Sequence, residues 1–410
     1  MANVNVRPFS SLATSDSLDD VWARHHAEWR DTAQITSQWQ EATNTDPGLL
    51  KYKVKGAWWE LISQLGITLI ATREYEHLVI GISCVHDEPH LSFMRVPHPS
   101  GLAVDRRRGV VHVASTRNPN QVYDLMPTSD FTPRLDVKGD MTEERPLMPV
   151  LSRFFPGCLY MHDLSLIGGK LHANAVGHNA VVRLNNDSTY ERIWWPSCIE
   201  TENGPVFGQN HIQLNSIAAG KDIQHSFFSA SSDNISFRRP GHKNYPVDKR
   251  GVIFSGATRD VVARGLTRPH SARLHNGDVW VDNSGYGELG FIDSECFHPV
   301  VSLPGWTRGL CFYNDIAFVG TSRVIPRFAQ YAPGLDVDDS QCGLHAVDIR
   351  SGKVLGSMVW PSGNQIFAIE WIPQKTSLGF PFASVRRKEK EKLLFYTFST
   401  SGSKEDLDER

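Results

Sequence analysis

The residues of this chain best placed for chemistry are histidines that stand at or just before short apolar runs. His162 opens His-Asp-Leu-Ser-Leu, His270 opens His-Ser-Ala-Arg-Leu, and His211 opens His-Ile-Gln-Leu-Asn. Neutral imidazole is a good ligand for zinc, iron or copper, and three protein ligands with one open position make a catalytic metal site. If one frame brings His162, His211 and His270 together, they would hold a divalent metal, zinc or iron first, with copper or calcium as further candidates. The same histidines also read as polar residues bonded to water and neighbours, and the sequence leaves both readings open. Arg308 is permanently charged and forks onto carboxylate or phosphate, so it is a candidate anion clamp as well as a candidate salt-bridge partner. Glu288, in the run Asn283-Ser-Gly-Tyr-Gly-Glu288, is a candidate general base, although that run also reads as a turn. Tyr160 and Trp306 precede two apolar runs and are candidates to line a binding mouth, with Tyr160 a candidate catalytic residue beside Arg308 and Glu288.

Such a site needs elements that bring distant segments to one point. The chain supplies them as repeats. Six segments share one grammar: a small or polar residue, a short apolar strand, a turn, then a second apolar strand. They begin near Ser100, His162, Asn215, His270, Arg308 and Phe367, at steps of 62, 53, 55, 38 and 59 residues. A propeller blade of four strands needs roughly 40–50 residues, so one unit per blade fits, with loop insertions. The expected fold is therefore all-β: a β-propeller of about six blades with a short N-terminal helical extension. The first strand of each blade lines the central channel, so the six opening positions ring the axis, and five of them are polar. Strand alternation puts His211, Gln213 and Asn215 on one face, so either His211 or Asn215 reaches the axis. Gln213, Asn215, Ser100, Trp306 and Asn283 are the candidate substrate contacts. Asp163, next to His162, points to the other side and is expected to hold a neighbouring strand. Strands within Ile67–Arg95 are expected to complete the ring together with C-terminal ones, which removes an exposed sheet edge; a seventh blade there is the alternative.

Before the repeats, residues 1–17 read as a flexible lead, and residues 18–45 as a helix from the spacing of Leu18, Val21, Trp22, His25, Trp29 and Ala33. A second short helix is expected over Ala57–Leu65. The expected organisation is an extension over 1–65, a propeller over 66–400 and a flexible tail over 401–410, with Leu393–Phe398 as a last strand and Arg386–Lys392 as solvated surface.

Composition narrows the function classes. The net charge is -3, so no basic face for nucleic acid is expected. The longest apolar stretches, such as Leu61–Ile70, fall well short of the roughly 20 residues of a spanning helix, so no membrane span is expected. Met1–Asp20 lacks a basic segment followed by an apolar one, so no secretory signal is expected. The six cysteines have no C-x-x-C spacing and are expected to be buried free thiols of a cytoplasmic protein. No Walker loop, G-x-S-x-G or H-E-x-x-H motif occurs, which disfavours nucleotide-dependent and α/β-hydrolase chemistry.

Two runs are long and specific: Arg268-Pro-His-Ser-Ala-Arg-Leu-His-Asn-Gly-Asp-Val-Trp-Val-Asp-Asn-Ser-Gly-Tyr-Gly-Glu-Leu-Gly290, and Leu303-Pro-Gly-Trp-Thr-Arg-Gly-Leu-Cys-Phe312. With Ala317–Arg323, Met161–Asp163, Gln213–Ser216 and Cys342-Gly343, they resemble a family of bacterial proteins known as a conserved domain of unknown function, over roughly residues 95–372. Its pattern runs P-H-S-P-R-W-H, then L-W-x-x-N-S-G-x-G-E-L, then L-P-G-x-T-R-G-L. The resemblance implies that Arg273 is a substrate-binding residue. Where the family has H-L-N-G, this chain has Gln213-Leu-Asn-Ser216, and His211 stands two positions earlier. The grammar is more distantly similar to six-bladed NHL and gluconolactonase-like propellers, some of which are metal-dependent lyases and lactonases. The family itself brings no assigned reaction; with the three histidines, the expected function is a metal-dependent enzyme, a lyase, hydrolase or isomerase, acting on a small molecule or modified peptide. A non-catalytic module for a protein or glycan partner, and a metal that only clips blades together, are the other readings; oligomeric state is left open.

Overall fold

A computed structural model describes residues 17, 19, 45–117, 120–128, 145–236, 238, 242 and 245–383. Contacts divide the chain into two units, Met1–Thr45 and Asp46–Arg410. The expected helix over 18–45, the charged run from Arg386 and the strand at Leu393–Phe398 lie outside the described residues, apart from Asp19 and Thr45.

Among the described residues the second unit holds six antiparallel sheets of four or five strands that follow the six repeats, besides a two-stranded ribbon of Glu200–Thr201 and Gly204–Pro205. Their inner strands are Pro99–Asp105, Met161–Ile167, Leu214–Ala218, Pro269–His275, Trp306–Tyr313 and Ala368–Pro373, which define blades 1 to 6. Each inner strand touches the next, and the sixth touches the first, so the ring closes. Blades 1 to 5 run outward in chain order. Blade 6 is composite: Ala368–Pro373 pairs with Ile67–Arg73, which leads out through Leu78–Val85 and Glu88–Arg95. The ring is thus six-bladed, and its two chain ends meet inside one sheet, as the edge argument requires.

Local sequence explains the blades. In blade 4, Asn276 and Gly277 have φ of 52° and 93° and join His275 directly to its partner Asp278. This is the two-residue turn whose left-handed backbone matches strand twist. Gly101 answers a different need: a Cβ there would lie 2.6 Å from Asp163 Cα in the next blade, so only glycine lets the inner strands approach.

Residues 53–65, expected in a separate extension, belong to the ring. Lys53–Gly56 pairs with Lys353–Val359 as a fifth strand on blade 5. The helix Trp58–Leu65 buries Trp58 and Ile62, one turn apart, and Gly66 at φ 59° ends it. Trp58 meets Phe318 of blade 5 edge-on at 6.2 Å. The cysteines are all free, but only Cys84, Cys311 and Cys342 are buried; Cys158 and Cys296 are exposed and Cys198 lies between. Among the described residues no helix is long and apolar enough to cross a membrane.

Side chains at one end of the ring clasp blade to blade. Thr72 Oγ1 donates to Ser100 O at 2.7 Å, Ser100 Oγ to Met161 O at 2.9 Å, and Asn174 Nδ2 to Leu214 O at 2.7 Å. Asn215 Nδ2 donates to Pro269 O at 2.9 Å, Ser284 Oγ to Thr307 O at 2.6 Å, and Ser322 Oγ to Ile366 O at 3.1 Å. The six bonds pass once around the ring.

Buried histidines give the fold a pH limit. His345 of blade 5 hydrogen-bonds Thr321 Oγ1 at 3.0 Å and Ser357 Oγ at 2.8 Å, and burial pushes its pKa down to about 4. In the unfolded chain it protonates near 6.5, so between those values the unfolded state binds more protons. Stability is expected to be full above pH 6.5 and to fall as pH drops toward 4, by roughly 3 kcal/mol for this residue. Urea unfolding across this range checks it; a wild-type profile as flat as that of His345→Gln would contradict it.

Candidate functional site

The inner strands do not run straight into the axial mouth. In blades 1 to 5 the register of the inner strand shifts near its start: between Pro99 and Leu102, between Met161 and Leu164, at Leu214–Ser216, between His270 and Arg273, and between Thr307 and Leu310. Bulges of this kind leave residues unpaired and re-aim their side chains. Ser100, His162, Asn215, Ser271 and Arg308 all fall in these segments.

Four of the re-aimed or adjacent side chains share one electrostatic neighbourhood. His162 and His270 are each almost wholly buried, as are Arg268 and Arg308. Burial, followed by the charges of Arg308 and Arg268, holds both imidazoles well below the usual histidine range, so both are neutral near pH 7. Burial also pushes each guanidinium down to about 10; Tyr331 and then Arg308 act next on Arg268, Glu74 acts next on Arg308, and Tyr160 acts on both. His270 Nδ1 donates to Arg268 O at 2.8 Å, which leaves Nε2 as its basic nitrogen. Nδ1 of His162 is buried without a hydrogen-bond partner among the described residues, and so is Nη2 of Arg308.

Aromatic rings frame this cluster. The Arg308 guanidinium lies 3.3 Å from the Phe367 ring centroid. His162 has Tyr160 at 5.0 Å and Phe367 at 5.6 Å, and Trp306 meets His270 edge-on at 5.5 Å. With the Gln365 amide turned so that its oxygen faces Arg308, it accepts from Nη1 at 3.2 Å while its nitrogen donates to Glu74 Oε2 at 3.3 Å. Glu74 is buried and also accepts from Thr116 Oγ1 at 2.7 Å.

The structure therefore brings His162, His270, Arg308, Tyr160 and Trp306 together. Gln213 joins them through Arg268, whose Nη1 donates to its Oε1 at 2.9 Å. The other sequence candidates go elsewhere. His211 Nδ1 donates to Ser236 O at 3.1 Å, and the strand begins only at Leu214, so alternation does not apply from His211 to Asn215. Among the described residues no group of three His, Cys, Asp or Glu side chains is arranged to hold a metal ion, so the expected set of His162, His211 and His270 is not formed. Glu288 and Asn283 bond each other, Nδ2 to Oε2 at 2.8 Å, and Asn283 Oδ1 accepts from Thr267 N: a blade corner rather than a base. Ser100 is spent on the clasps; Asn215 gives its Nδ2 to a clasp, but its Oδ1 has no hydrogen-bond partner among the described residues and its side chain acts on His162. Arg273 forks onto Asp163, and Asp163 Oδ2 accepts from Ile217 N of blade 3, so the pair ties three blades. Sequence reading missed Arg268, Glu74 and Gln365, which lie in turns and lead-ins outside the repeated strands; Arg268 alone carried a signal, as the first residue of a recognised run.

The donor set does not suit a divalent cation. Two guanidiniums stand beside two imidazoles, and the carboxylate of Glu74 is already bonded to Thr116.

A family model described as Domain of unknown function (DUF4915) matches residues 56–378. No curated protein matches the chain. Similar solved structures include a chain of a nidogen/laminin complex, 9% identical over 75% of this chain and 98% of that one, with a TM-score of 0.48. The WD40 β-propeller domain of Doa1 is 11% identical over 65% and 88%, with a TM-score of 0.37. TolB from Acinetobacter baumannii is 10% identical over 75% and 66%, with a TM-score of 0.41. At these TM-scores none of the three bears on what the chain does.

Proposed function

We propose that this chain, which belongs to the family described as Domain of unknown function (DUF4915), binds a small anionic molecule at the axial mouth and moves a proton on it. The observation that carries this reading is the pair of buried guanidiniums beside two neutral imidazoles. Buried like charges are costly unless an opposite charge offsets them, and an anion does so. Arg308 offers the forked geometry that suits carboxylate or phosphate, and its Nη2 has no hydrogen-bond partner among the described residues. Tyr160, Trp306 and Phe367 supply apolar surface for the carbon skeleton. Nε2 of His270 is positioned by the bond from Nδ1 to Arg268 O and accepts a proton without first losing one. An isomerase or lyase working beside a carboxylate fits this set.

A metal-dependent enzyme is the second reading, favoured by the unpartnered Nδ1 of His162 and opposed by both arginines. Thermal unfolding with malonate, citrate, inorganic phosphate and zinc separates the two. At a hundred times its Kd a ligand adds about 2.7 kcal/mol. One of the anions is expected to stabilise the wild type and not Arg308→Met, with no effect of zinc. Stabilisation by zinc that disappears in His270→Gln, with no response to any anion, would overturn the anion reading. For a bound anion, solvent deuterium entering its carbon frame reports the proton transfer; binding without exchange makes the site a non-catalytic module.

A further inference from the structure

At the far end of the same ring, blades 1 and 2 stand apart. A cleft of about 610 Å³ separates them, lined on one side by Asp105–Arg153 residues of blade 1 and on the other by Leu166–Asn186 residues of blade 2. It opens by the turns that follow the two inner strands, at Arg108 and Lys170. The seven-residue inner strand of blade 1 places these turns roughly 20 Å from the axial mouth.

The gap has a cause in packing. The interface of blades 2 and 3 is filled by Trp194, Phe228 and Phe254, and that of blades 4 and 5 by Trp280, Phe291 and Phe312. Between blades 1 and 2 the core holds Ala103, Ala114, Ala173 and Ala175 among leucines, valines and Met161, with Phe155 as its one buried aromatic ring. That bulk is less than at the two aromatic interfaces, and the cleft is left beside it.

The walls are built rather than worn. His112 Nδ1 donates to Asp124 Oδ1 at 2.6 Å, Arg153 Nη2 donates to both Asp124 oxygens at 2.7 and 2.9 Å, and Arg153 Nη1 reaches Asn186 Oδ1 across the cleft at 3.1 Å. A buried charged network is expensive, and here it fixes one wall to the other. Of six large apolar side chains left exposed among the described residues, three line this cleft: Met126, Val150 and Leu151. Leu166 and Leu171 face them from blade 2. The charge at the rim is positive. Arg153 is spent on Asp124, Arg183 pairs with Glu191, and Asp105 Oδ1 accepts from the backbone of its own turn. Arg108 and Lys170 remain, without an ion pair among the described residues.

We propose that this cleft is a second ligand site, for a small organic anion with an apolar body. Lys170 and Arg108 take the anionic end, and Leu151, Val150 and Leu166 cover the body. The site is independent of the axial reading.

The probe is 1-anilinonaphthalene-8-sulfonate, titrated by fluorescence against the folded full chain. One saturable equivalent is expected. Its Kd is expected to rise at least tenfold in Lys170→Glu and in Leu151→Glu, and to stay unchanged in Arg308→Met. Both altered side chains are exposed, and an unchanged urea midpoint confirms that each variant folds. Absent saturation, equal Kd values in wild type and both cleft variants, or loss of binding in Arg308→Met alone, would each overturn the proposal; the last would move the probe to the axial mouth.

Discussion

Asp163→Ala is expected to lose about 3–5 kcal/mol of stability, the cost of leaving one partner of a buried ion pair alone. Asp163 is almost wholly buried and accepts two bonds from the Arg273 guanidinium, at 2.8 and 3.2 Å. Its carboxylate also accepts Ile217 N at 3.0 Å, and Arg273 donates to Ile217 O at 3.3 Å and Ala272 O at 2.9 Å. Blade 2 thus grips blade 4 across the inner strand of blade 3. Removing the carboxylate strands a guanidinium with carbonyl partners only and frees two backbone N–H groups, of Ile217 and Leu164. Arg273→Met is expected to cost a similar amount, since it strands the carboxylate instead. The double variant Asp163→Ala with Arg273→Met should recover part of the loss, because no lone charge remains. Urea unfolding of the four proteins decides the matter; additive losses in the double variant would mean that the pair does not act as a unit.

A chain ending at Gln365 is expected to lose its cooperative unfolding transition. The removed residues include the inner strand of blade 6 and its outer edge at Phe382-Ala383. Phe367, Ile369, Ile372, Phe380 and Phe382 are all buried. At about 1.5–3 kcal/mol each, their burial is worth about 8–15 kcal/mol, which rivals the whole stability of an ordinary domain. Ile67–Arg73 would then present a bare inner edge to the axis. Limited proteolysis and circular dichroism on heating check this. A truncated chain that melts as sharply as the full one would show that five blades suffice.

Much of the fold was legible because a propeller repeats its grammar. The six openings at Ser100, His162, Asn215, His270, Arg308 and Phe367 each lie within two residues of the start of an inner strand. Closure through Ile67–Arg95 followed from the need to cover an edge. The candidate site was legible only in part, and the reason lies in two kinds of residue. Polar side chains at the openings serve two ends: His162 and Arg308 face the shared cluster, Ser100 spends its hydrogen bond on the next blade, and Asn215 does both. Residue type alone does not separate these. The bulges are the second reason. Period-2 alternation assigned His211, Gln213 and Asn215 to one face, but Gln213 has a φ of 48°, and the strand starts after it. Glu74 and Gln365 were out of reach because they belong to turns of the composite blade, which no repeat announces.

Blade 6 also sets an order of assembly in the cell. Synthesis runs from the N-terminus, so Ile67–Arg95 leaves the ribosome first and waits for Ala368–Pro373, about 270 residues later. Phe367 and Gln365, which flank Arg308, arrive with that last strand. The nascent chain therefore carries five blades and an open seam before it carries an axial site. Closing the seam and completing the site are one event, so a ligand held at the axis reports a ring made to its end.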